Sequence, residues 1–178
     1  MTGDPMQEMI DIYDRNRQLT GITIPREGAF LSEGQYMLYV LALIEDTQGR
    51  LLITQRSLDK HWGAGWWEVT GGGVRAGESS LEALWREVPE EVGLDLGQIE
   101  VEPVYSYENV DLKRGDNYFV DIYHVRLDFA PEDVSLVDGE AIDFRLATWD
   151  EISELADSGT FLHYERLRQA LVADGTLC

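Results

Sequence analysis

The sequence predicts an α/β (α+β) domain in which a mixed β-sheet lies between helices. Its 178 residues suit one domain with a genuine core. Apolar residues make up 44% of the chain and charged residues 27%, as in ordinary globular proteins. Segments with strand-like patterns are interrupted by one central helix and closed by another, which favours layers of sheet and helix.

Residues 1–34 are predicted to form an N-terminal extension, and residues 35–178 the main domain. Within the extension, Met9 to Ile24 contains two β-rich runs around a polar turn from Asp14 to Gln18, which predicts a β-hairpin. Because strand edges can pair with a neighbouring chain, the hairpin also suggests a possible homodimer.

The main domain begins with two apolar strand candidates, Tyr36–Ile44 and Leu51–Gln55, joined by a turn that contains Asp46 and Gly49. These strands are expected to form a buried hairpin. Further strands are predicted over residues 101–107, 118–127 and 144–148, and two C-terminal helices over residues 149–156 and 161–173.

A central helix is predicted from Ser79 to Val92. Ser79 can cap its N-terminus, and Glu82 three residues later completes a capping box. The apolar stripe of this helix consists of Leu81, Leu84, Val88 and Val92. Pro89 lies inside the helix and removes the hydrogen bond to the Trp85 carbonyl, at a cost of about 3 kcal/mol. Either packing tolerates the resulting kink, or the kink alters a site on this helix.

The charge of the chain limits its partners. Lys and Arg number 14 against 34 Asp and Glu, for a formal net charge of −20, which opposes binding to a nucleic acid polymer or to an anionic membrane. A phosphorylated small molecule is still a suitable ligand, but its site then needs cations to offset the repulsion.

The single cysteine, Cys178, leaves no possibility of an intramolecular disulfide or a cysteine-based zinc cluster, and favours a reducing, cytoplasmic compartment. The first ten residues lack a basic start followed by an apolar run, and no stretch of about 18 apolar residues occurs. We therefore expect neither a signal peptide nor a membrane span.

Three acidic residues project from one side of the predicted central helix, opposite its apolar stripe: Glu87, Glu90 and Glu91. Like charges at this spacing repel by about a few tenths of a kcal/mol per pair, and a bound divalent cation would remove that cost. Oxygen ligands favour Mg²⁺ or Mn²⁺ over zinc. The preceding glycine loop, Gly71 to Gly73, would let the backbone approach a metal or a phosphate. A solvated acidic helix face is the alternative interpretation.

The segment from Gly72 to Leu94 resembles the Nudix box, GX5EX7REUXEEXGU, in which U is an aliphatic residue. All nine constrained positions match without a gap: Gly72, Glu78, Arg86, Glu87, Val88, Glu90, Glu91, Gly93 and Leu94. The flanking segments LLITQRS and GEAIDFRLATWDEI also resemble the family, so the resemblance covers roughly residues 35–175.

This resemblance implies a Nudix α/β/α sandwich and metal-dependent hydrolysis of a diphosphate linkage, by attack of water on phosphorus, in a nucleoside diphosphate derivative or related small molecule. It implies Mg²⁺ as the cofactor, with Mn²⁺ as a substitute. The implied metal ligands are Glu87, Glu90, Glu91 and the Gly71 carbonyl. Arg86 would hold the carboxylates, while Glu78 and Gly72 would support the site. The spacing agrees, because Glu82 and Glu90 lie four residues to either side of Arg86 and can pair with it, although an ordinary ion pair on the helix surface is the alternative. Glu87 and Glu140 are the two candidates for the general base.

Three residues are predicted to bind substrate: Arg56, Trp67 and Tyr118. Trp67 and Tyr118, together with Trp62 and Trp66, are aromatic residues able to stack a base, although packing is the alternative. The sequence does not identify the organic group of the substrate.

Two alternatives to hydrolysis stay open. The segment IDIYDRNRQLTG resembles the start of Nudix proteins related to isopentenyl-diphosphate isomerase. Those isomerases use a cysteine before the box and grouped histidines, whereas Cys178 is the last residue and His61, His124 and His163 are scattered. The other alternative is a non-catalytic ligand sensor, a class that has usually lost the box carboxylates that are present here.

Overall fold

The computed structural model describes residues 7–137 and 139–178, so residues 1–6 of the predicted extension lie outside the described part. The strands are β1 (Met9–Tyr13), β2 (Leu19–Pro25), β3 (Met37–Glu45), β4 (Leu51–Arg56), β5 (Trp67–Glu68), β6 (Thr70–Gly73), β7 (Tyr105–Asn109), β8 (Tyr118–Arg126) and β9 (Ala141–Ala147). The helices are α1 (Ser80–Val92), α2 (Trp149–Asp157) and α3 (Tyr164–Ala173), with a short 3₁₀ turn at Pro131–Asp133.

Seven strands form the central sheet. Its main path is β5-β4-β3-β8-β7, with β6 paired to β3 and β9 paired to β4. Strands β3 and β8 run parallel from the pair Met37↔Tyr118 to the pair Glu45↔Arg126. The other pairings in this sheet are antiparallel. The sheet is therefore mixed, as the sequence predicted.

The predicted hairpin of β3 and β4 opens immediately after its turn, because the two strands share a single pair, Glu45↔Leu51. Beyond that pair, β6 replaces β4 as the neighbour of β3, and it pairs from Tyr39↔Gly73 to Ala42↔Thr70. The prediction of a glycine loop was thus wrong, since these glycines form a strand. A Cβ added at Gly71 would lie 2.3 Å from the Val40 carbonyl oxygen, so glycine permits this close approach.

Helices cover both faces of the sheet, and each face has its own apolar core. On one face α1 contributes Leu84, Val88 and Val92, which pack with Val40 and Ile44 of β3. On the other face α2 and α3 contribute Ile152, Leu167 and Leu171, which pack with Leu43 of β3 and Ile53 of β4. Because successive residues of a strand point to opposite faces, β3 supplies both cores. The fold is an α/β/α sandwich.

Helix α1 begins as the sequence predicted. Ser79 accepts a hydrogen bond from the Glu82 N–H, and Glu82 accepts one from the Ser79 N–H, which completes the capping box. The helix continues through Pro89 to Val92, and Gly93 ends it with a φ of 72°. Packing of Val88 and Val92 on both sides of Pro89 holds this segment in the helix despite the lost hydrogen bond.

The C-terminal helix starts later than predicted. Phe161 bridges to Trp67, and the Leu162 N–H donates to the Trp67 carbonyl at 2.9 Å, so these residues extend the sheet instead of entering the helix. Strand β7 also starts later, at Tyr105. Among the described residues, no helix is long and apolar enough to cross a bilayer.

The N-terminal hairpin of β1 and β2 is present and lies against the domain. Ile10 and Ile12 are buried with Leu31 and Met37 in a small third core. Arg17, in the turn of the hairpin, forms an ion pair with Asp121 of β8, whose carboxylate is buried. The hairpin therefore packs on the sheet rather than projecting from it.

Candidate active site

Arg86 of α1 connects the start of the helix to the glycine strand. Its Nε and Nη2 atoms donate to the two carboxylate oxygens of Glu78 at 2.7 and 2.8 Å. Nη2 also donates to the Gly73 carbonyl at 3.0 Å, and Nη1 donates to Glu87 at 2.6 Å. The hydrogen bonds from Arg86 lower the pKa of Glu78, and those same bonds raise the pKa of Arg86. One guanidinium thus joins the loop before α1, strand β6 and the helix.

The expected ion pair between Glu82 and Arg86 was wrong. The Glu82 carboxylate instead accepts the Ser79 N–H at 2.7 Å, because the capping box occupies it. Glu78 takes its place beside Arg86. The other expected partner, Glu90, lies 3.4 Å from Arg86 Nη1.

Glu87 occupies space that only a glycine can leave free. A Cβ added at Gly72 would lie 2.3 Å from Glu87 Oε1 and 2.4 Å from its carboxyl carbon. Burial raises the pKa of Glu87, while the hydrogen bond and the charge of Arg86 oppose that rise. The first position of the box therefore requires glycine for a steric reason, because a side chain there would occupy the space of the Glu87 carboxylate.

Glu91 lies one helical turn further on, and its carboxylate accepts the Gly71 N–H at 3.2 Å. Burial, followed by repulsion from Glu87, raises the pKa of Glu91 to about 8. The negative charges of Glu68 and Glu140 add to this effect. The hydrogen bond from the Gly71 N–H opposes this rise.

Glu90 differs from its two neighbours because its side chain is 50% exposed. It lies 3.4 Å from Arg86 and 3.7 Å from Arg75 at the edge of the site. Across residues 7–137 and 139–178, no three Asp, Glu, His or Cys side chains are arranged to hold a metal ion as they stand. Arg86 engages oxygens of both Glu87 and Glu90 in this arrangement.

The sequence interpretation missed Glu68 of β5. Burial raises the pKa of this carboxylate, and Arg56 opposes the rise by donating from Nη1 to both carboxylate oxygens at 2.9 and 3.0 Å. Glu140 is more exposed and pairs with Lys60 Nζ at 2.5 Å. Glu68 lies three residues before the glycine run. Neighbouring residues of a strand point to opposite faces, so the pair of Trp67 and Glu68 could have predicted that Glu68 faces the site when Trp67 faces the core.

A cleft of about 740 Å³ opens beside the glycine strand. It is lined by Arg26, Tyr39, Val40, Leu41, Arg56, Trp62, Gly71, Gly72, Tyr107, Asn109, Asp111, Arg114, Asp116, Tyr118, Val120 and His163. The cleft combines guanidinium groups and aromatic rings next to the two glycines that contact Glu87 and Glu91. Arg56 and Tyr118, two of the three residues predicted to bind substrate, lie in it.

Trp67, the third residue predicted to bind substrate, lies elsewhere. Its side chain is 4% exposed and packs in the core beneath α2 and α3, with the Arg145 guanidinium 4.1 Å from its ring centroid. The reason is the alternation of β5, which turns Trp67 into the core and Glu68 to the opposite side. Trp62 is the tryptophan that lines the cleft.

The three histidines have different surroundings. His163 lines the cleft, and burial lowers its pKa. His124 is buried between Glu45 and Asp174, whose carboxylate oxygens lie 2.6 and 2.7 Å from its ring nitrogens. His61 and Cys178 are exposed.

Comparisons with known proteins agree with this geometry. A family model for the NUDIX domain matches residues 35–169. A Nudix hydrolase of Listeria monocytogenes is 32% identical over 160 residues, which cover 89% of this chain and 90% of that protein. An isopentenyl-diphosphate Delta-isomerase of Serratia proteamaculans is 33% identical over 121 residues, which cover 66% of this chain and 63% of that protein.

A crystal structure of a Deinococcus radiodurans protein superposes with a TM-score of 0.72 at 21% identity, covering 92% of this chain and 99% of that one. At this level of identity the likeness shows the shared fold. The layers of sheet and helix described above are therefore those of a known architecture.

Proposed function

This chain belongs to the Nudix hydrolase family, and we therefore propose that it cleaves a diphosphate linkage in a nucleoside diphosphate derivative or related small molecule, using Mg²⁺. The family and the pyrophosphohydrolase class of the enzyme follow from the comparisons. The substrate, the metal and the roles of individual residues are the content of the proposal.

One observation carries the proposal: Glu87 and Glu91 lie together beside the glycine strand, and in the described part of the chain Arg86 pairs with Glu87 while no ion pair reaches Glu91. Gly72 leaves space for Glu87, and the Gly71 N–H is bonded to Glu91. Burial and mutual repulsion raise the pKa of Glu91 to about 8. A folded chain keeps such an arrangement at a cost in stability, and perturbed carboxylates beside a cleft are typical of functional sites.

The donor chemistry suits a hard divalent cation, since the candidate ligands are all oxygen atoms. Glu87, Glu90, Glu91 and the Gly71 carbonyl would hold it. A cation bound there would neutralise charge on the diphosphate and make a bound water more acidic. Arg86 already donates to oxygens of Glu87 and Glu90. Its bidentate pair with Glu78 holds the guanidinium beside these candidate ligands. Mn²⁺ has a similar preference for oxygen and would substitute.

The residues of the chain itself would orient the reactants. Arg86 and Gly72 fix the position of Glu87, which is one candidate to accept the proton from the attacking water. Glu140 is the other candidate, and its pairing with Lys60 makes it the less available base. The aromatic lining of the cleft offers stacking surfaces for the organic group, with Tyr39 and Tyr118 in edge contact at 5.3 Å.

The test is a substrate panel with Mg²⁺ and with Mn²⁺: nucleoside triphosphates, nucleotide sugars, dinucleoside polyphosphates, ADP-ribose and isopentenyl diphosphate. We expect phosphate or nucleotide release from at least one nucleoside diphosphate derivative, abolished by Glu90→Gln. Glu154→Gln, at an exposed position of α2, removes the same charge and should leave the rate unchanged.

Two results would contradict the proposal. Conversion of isopentenyl diphosphate without phosphate release would favour isomerisation, which the similarity to the Serratia isomerase motivates. Binding of a panel member without turnover would favour a ligand sensor.

A homodimer and a cytoplasmic location also stay proposals. In the described part of the chain, β2 pairs with β1 alone and exposes Leu19 and Ile22. Pairing between two β2 edges would cover them. We expect light scattering to give twice the mass of one chain, and Ile22→Lys to halve that mass. A monomeric wild-type protein would rule the dimer out.

A further inference from the structure

One wall of the cleft comes from outside the region that the family model matches. Arg26 follows directly after β2 and precedes residue 35, where the match begins. Its backbone N–H donates to the Glu8 carbonyl at 2.8 Å, and its Nη1 donates to Glu8 Oε1 at 2.8 Å. Two contacts to one residue hold the base and the tip of this side chain, so its position is built into the hairpin.

The guanidinium of Arg26 lies against the glycine strand. A Cβ added at Gly73 would lie 3.0 Å from its Cζ and Nη1 atoms. Cζ also lies 5.4 Å from the centroid of the Tyr39 ring, which is a cation-π distance. Arg26 therefore lies against the strand on which Glu87 is seated at Gly72, and it faces the cleft.

Arg26 and Arg56 differ in how far their donors are already used. Arg56 donates from Nη1 to both oxygens of Glu68, and from Nε and Nη2 to the Trp62 carbonyl at 3.2 and 3.1 Å. Within residues 7–137 and 139–178, the Arg26 guanidinium interacts with the Glu8 carboxylate and with the Tyr39 hydroxyl, so some of its five N–H groups are not used. Its side chain is 37% exposed, on the side of the cleft. Arg56 thus positions Glu68, whereas Arg26 has donors left for a ligand.

Building on the proposed function, we propose that Arg26 binds phosphate oxygens of the diphosphate substrate, so that the N-terminal extension completes the site. A guanidinium presents parallel N–H groups that match the oxygens of a phosphate, and such charge-assisted bonds are the strong ones. In a chain with a formal charge of −20, a cation held beside the carboxylates also offsets the repulsion of an anionic substrate.

The experiment compares Arg26→Gln with Arg15→Gln, which removes the same charge from an exposed position of the same hairpin. Calorimetry with inorganic pyrophosphate and Mg²⁺ measures binding without turnover. We expect Arg26→Gln to weaken pyrophosphate binding about tenfold or more, and Arg15→Gln to change it less than twofold. On the active panel substrate KM should rise more than kcat falls, and Arg26→Lys should restore part of the affinity.

Glu8→Gln separates direct contact from a loosened hairpin, because it keeps the guanidinium and removes its anchor. A loss of binding with Glu8→Gln as large as that with Arg26→Gln would overturn the proposal. Equal affinity of wild type and Arg26→Gln for pyrophosphate, or no binding by the wild type, would overturn it as well. Thermal melting checks that each variant is folded. If no panel substrate is turned over, the proposed hydrolysis fails, but the pyrophosphate comparison still decides the role of Arg26.

Discussion

Two groups of partly buried carboxylates, at separate places on the sheet, differ in how their charge is balanced. The first contains Glu87 and Glu91 beside the glycine strand. The second contains Glu45 and Asp174, which contact the two ring nitrogens of His124, with Arg126 3.1 Å from Asp174. In the first group Arg86 pairs with Glu87, but among the described residues no ion pair reaches Glu91. In the second group Arg126 and the His124 ring contact both carboxylates.

The pKa values of the carboxyl groups reflect this difference in partners. Burial alone would raise the pKa of Asp174, but hydrogen bonds from His124, Thr176 and Arg126 outweigh it and lower the pKa. Burial raises the pKa of Glu91 to about 8, and repulsion from Glu87 adds to the rise. The Asp174 group is complete within the chain and is suited to holding the C-terminal segment on the sheet. The Glu91 group has no such set of partners among the described residues, and the proposed divalent cation would supply positive charge when Glu91 is ionised.

The largest expected effect is on catalysis. Glu91→Gln should lower kcat by about a hundredfold or more, because it removes a candidate metal ligand and its charge. Asp174→Asn should lower the melting temperature and leave kcat within about twofold, since its partners belong to the chain. Steady-state rates on the active substrate and melting curves of both variants provide the measurement. Comparable loss of activity in the two variants would erase the distinction between the groups.

The second prediction concerns pH, and the two groups should respond with opposite sign. With metal removed, Glu91 binds a proton in the folded chain up to about pH 8 but loses it near its ordinary pKa of 4.5 when unfolded. The folded state is therefore favoured at low pH, and this contribution, of the order of a few kcal/mol, is lost as pH rises through that window. Asp174 has a lowered pKa, so its contribution is present above its ordinary value of 3.8 and is lost as pH falls through the folded value.

Denaturant unfolding in EDTA, from pH 3 to pH 8.5, measures both signs. The free energy of unfolding of wild type minus that of Glu91→Gln should decrease from pH 5 to pH 8. The same difference for Asp174→Asn should decrease only toward acid pH. Saturating Mg²⁺ should flatten the first difference, because the cation favours the ionised carboxylate. If the difference between wild type and Glu91→Gln does not change with pH, the charge of Glu91 is balanced within the chain and the contrast with Asp174 is wrong.

Helix α1 shows what local pattern can predict. Its capping box and its buried stripe depend on residues three or four apart, so Ser79, Glu82 and Val88 have the roles that the sequence predicted. The resemblance of nine positions from Gly72 to Leu94 to the Nudix box predicted the family, and the comparisons confirm it. The mixed sheet between helices also followed from the order of strand and helix signals.

Local sequence patterns did not predict the contacts between distant segments of the chain. The glycines of β6 have little intrinsic tendency to form a strand, and they do so because they pair with β3. Arg26 reaches the cleft only through packing of the hairpin, and Trp67 turns into the core because of the register of β5. The positions of single side chains in the site therefore depend on tertiary pairing that no local spacing contains.

The smallest expected effect is that of Pro89→Ala. This substitution tests whether catalysis depends on the helix geometry around Glu87 and Glu91 as well as on their charge. Pro89 lies between Glu87 and Glu91 and leaves the Trp85 carbonyl without its helical partner. Pro89→Ala should restore that bond and raise the melting temperature by a few degrees. Since α1 already runs unbroken from Ser80 to Val92, the seat of Glu87 at Gly72 should not move, and metal-dependent kcat should stay within about threefold. A tenfold gain in kcat would mean that Pro89 holds the carboxylates away from their best positions for a cation.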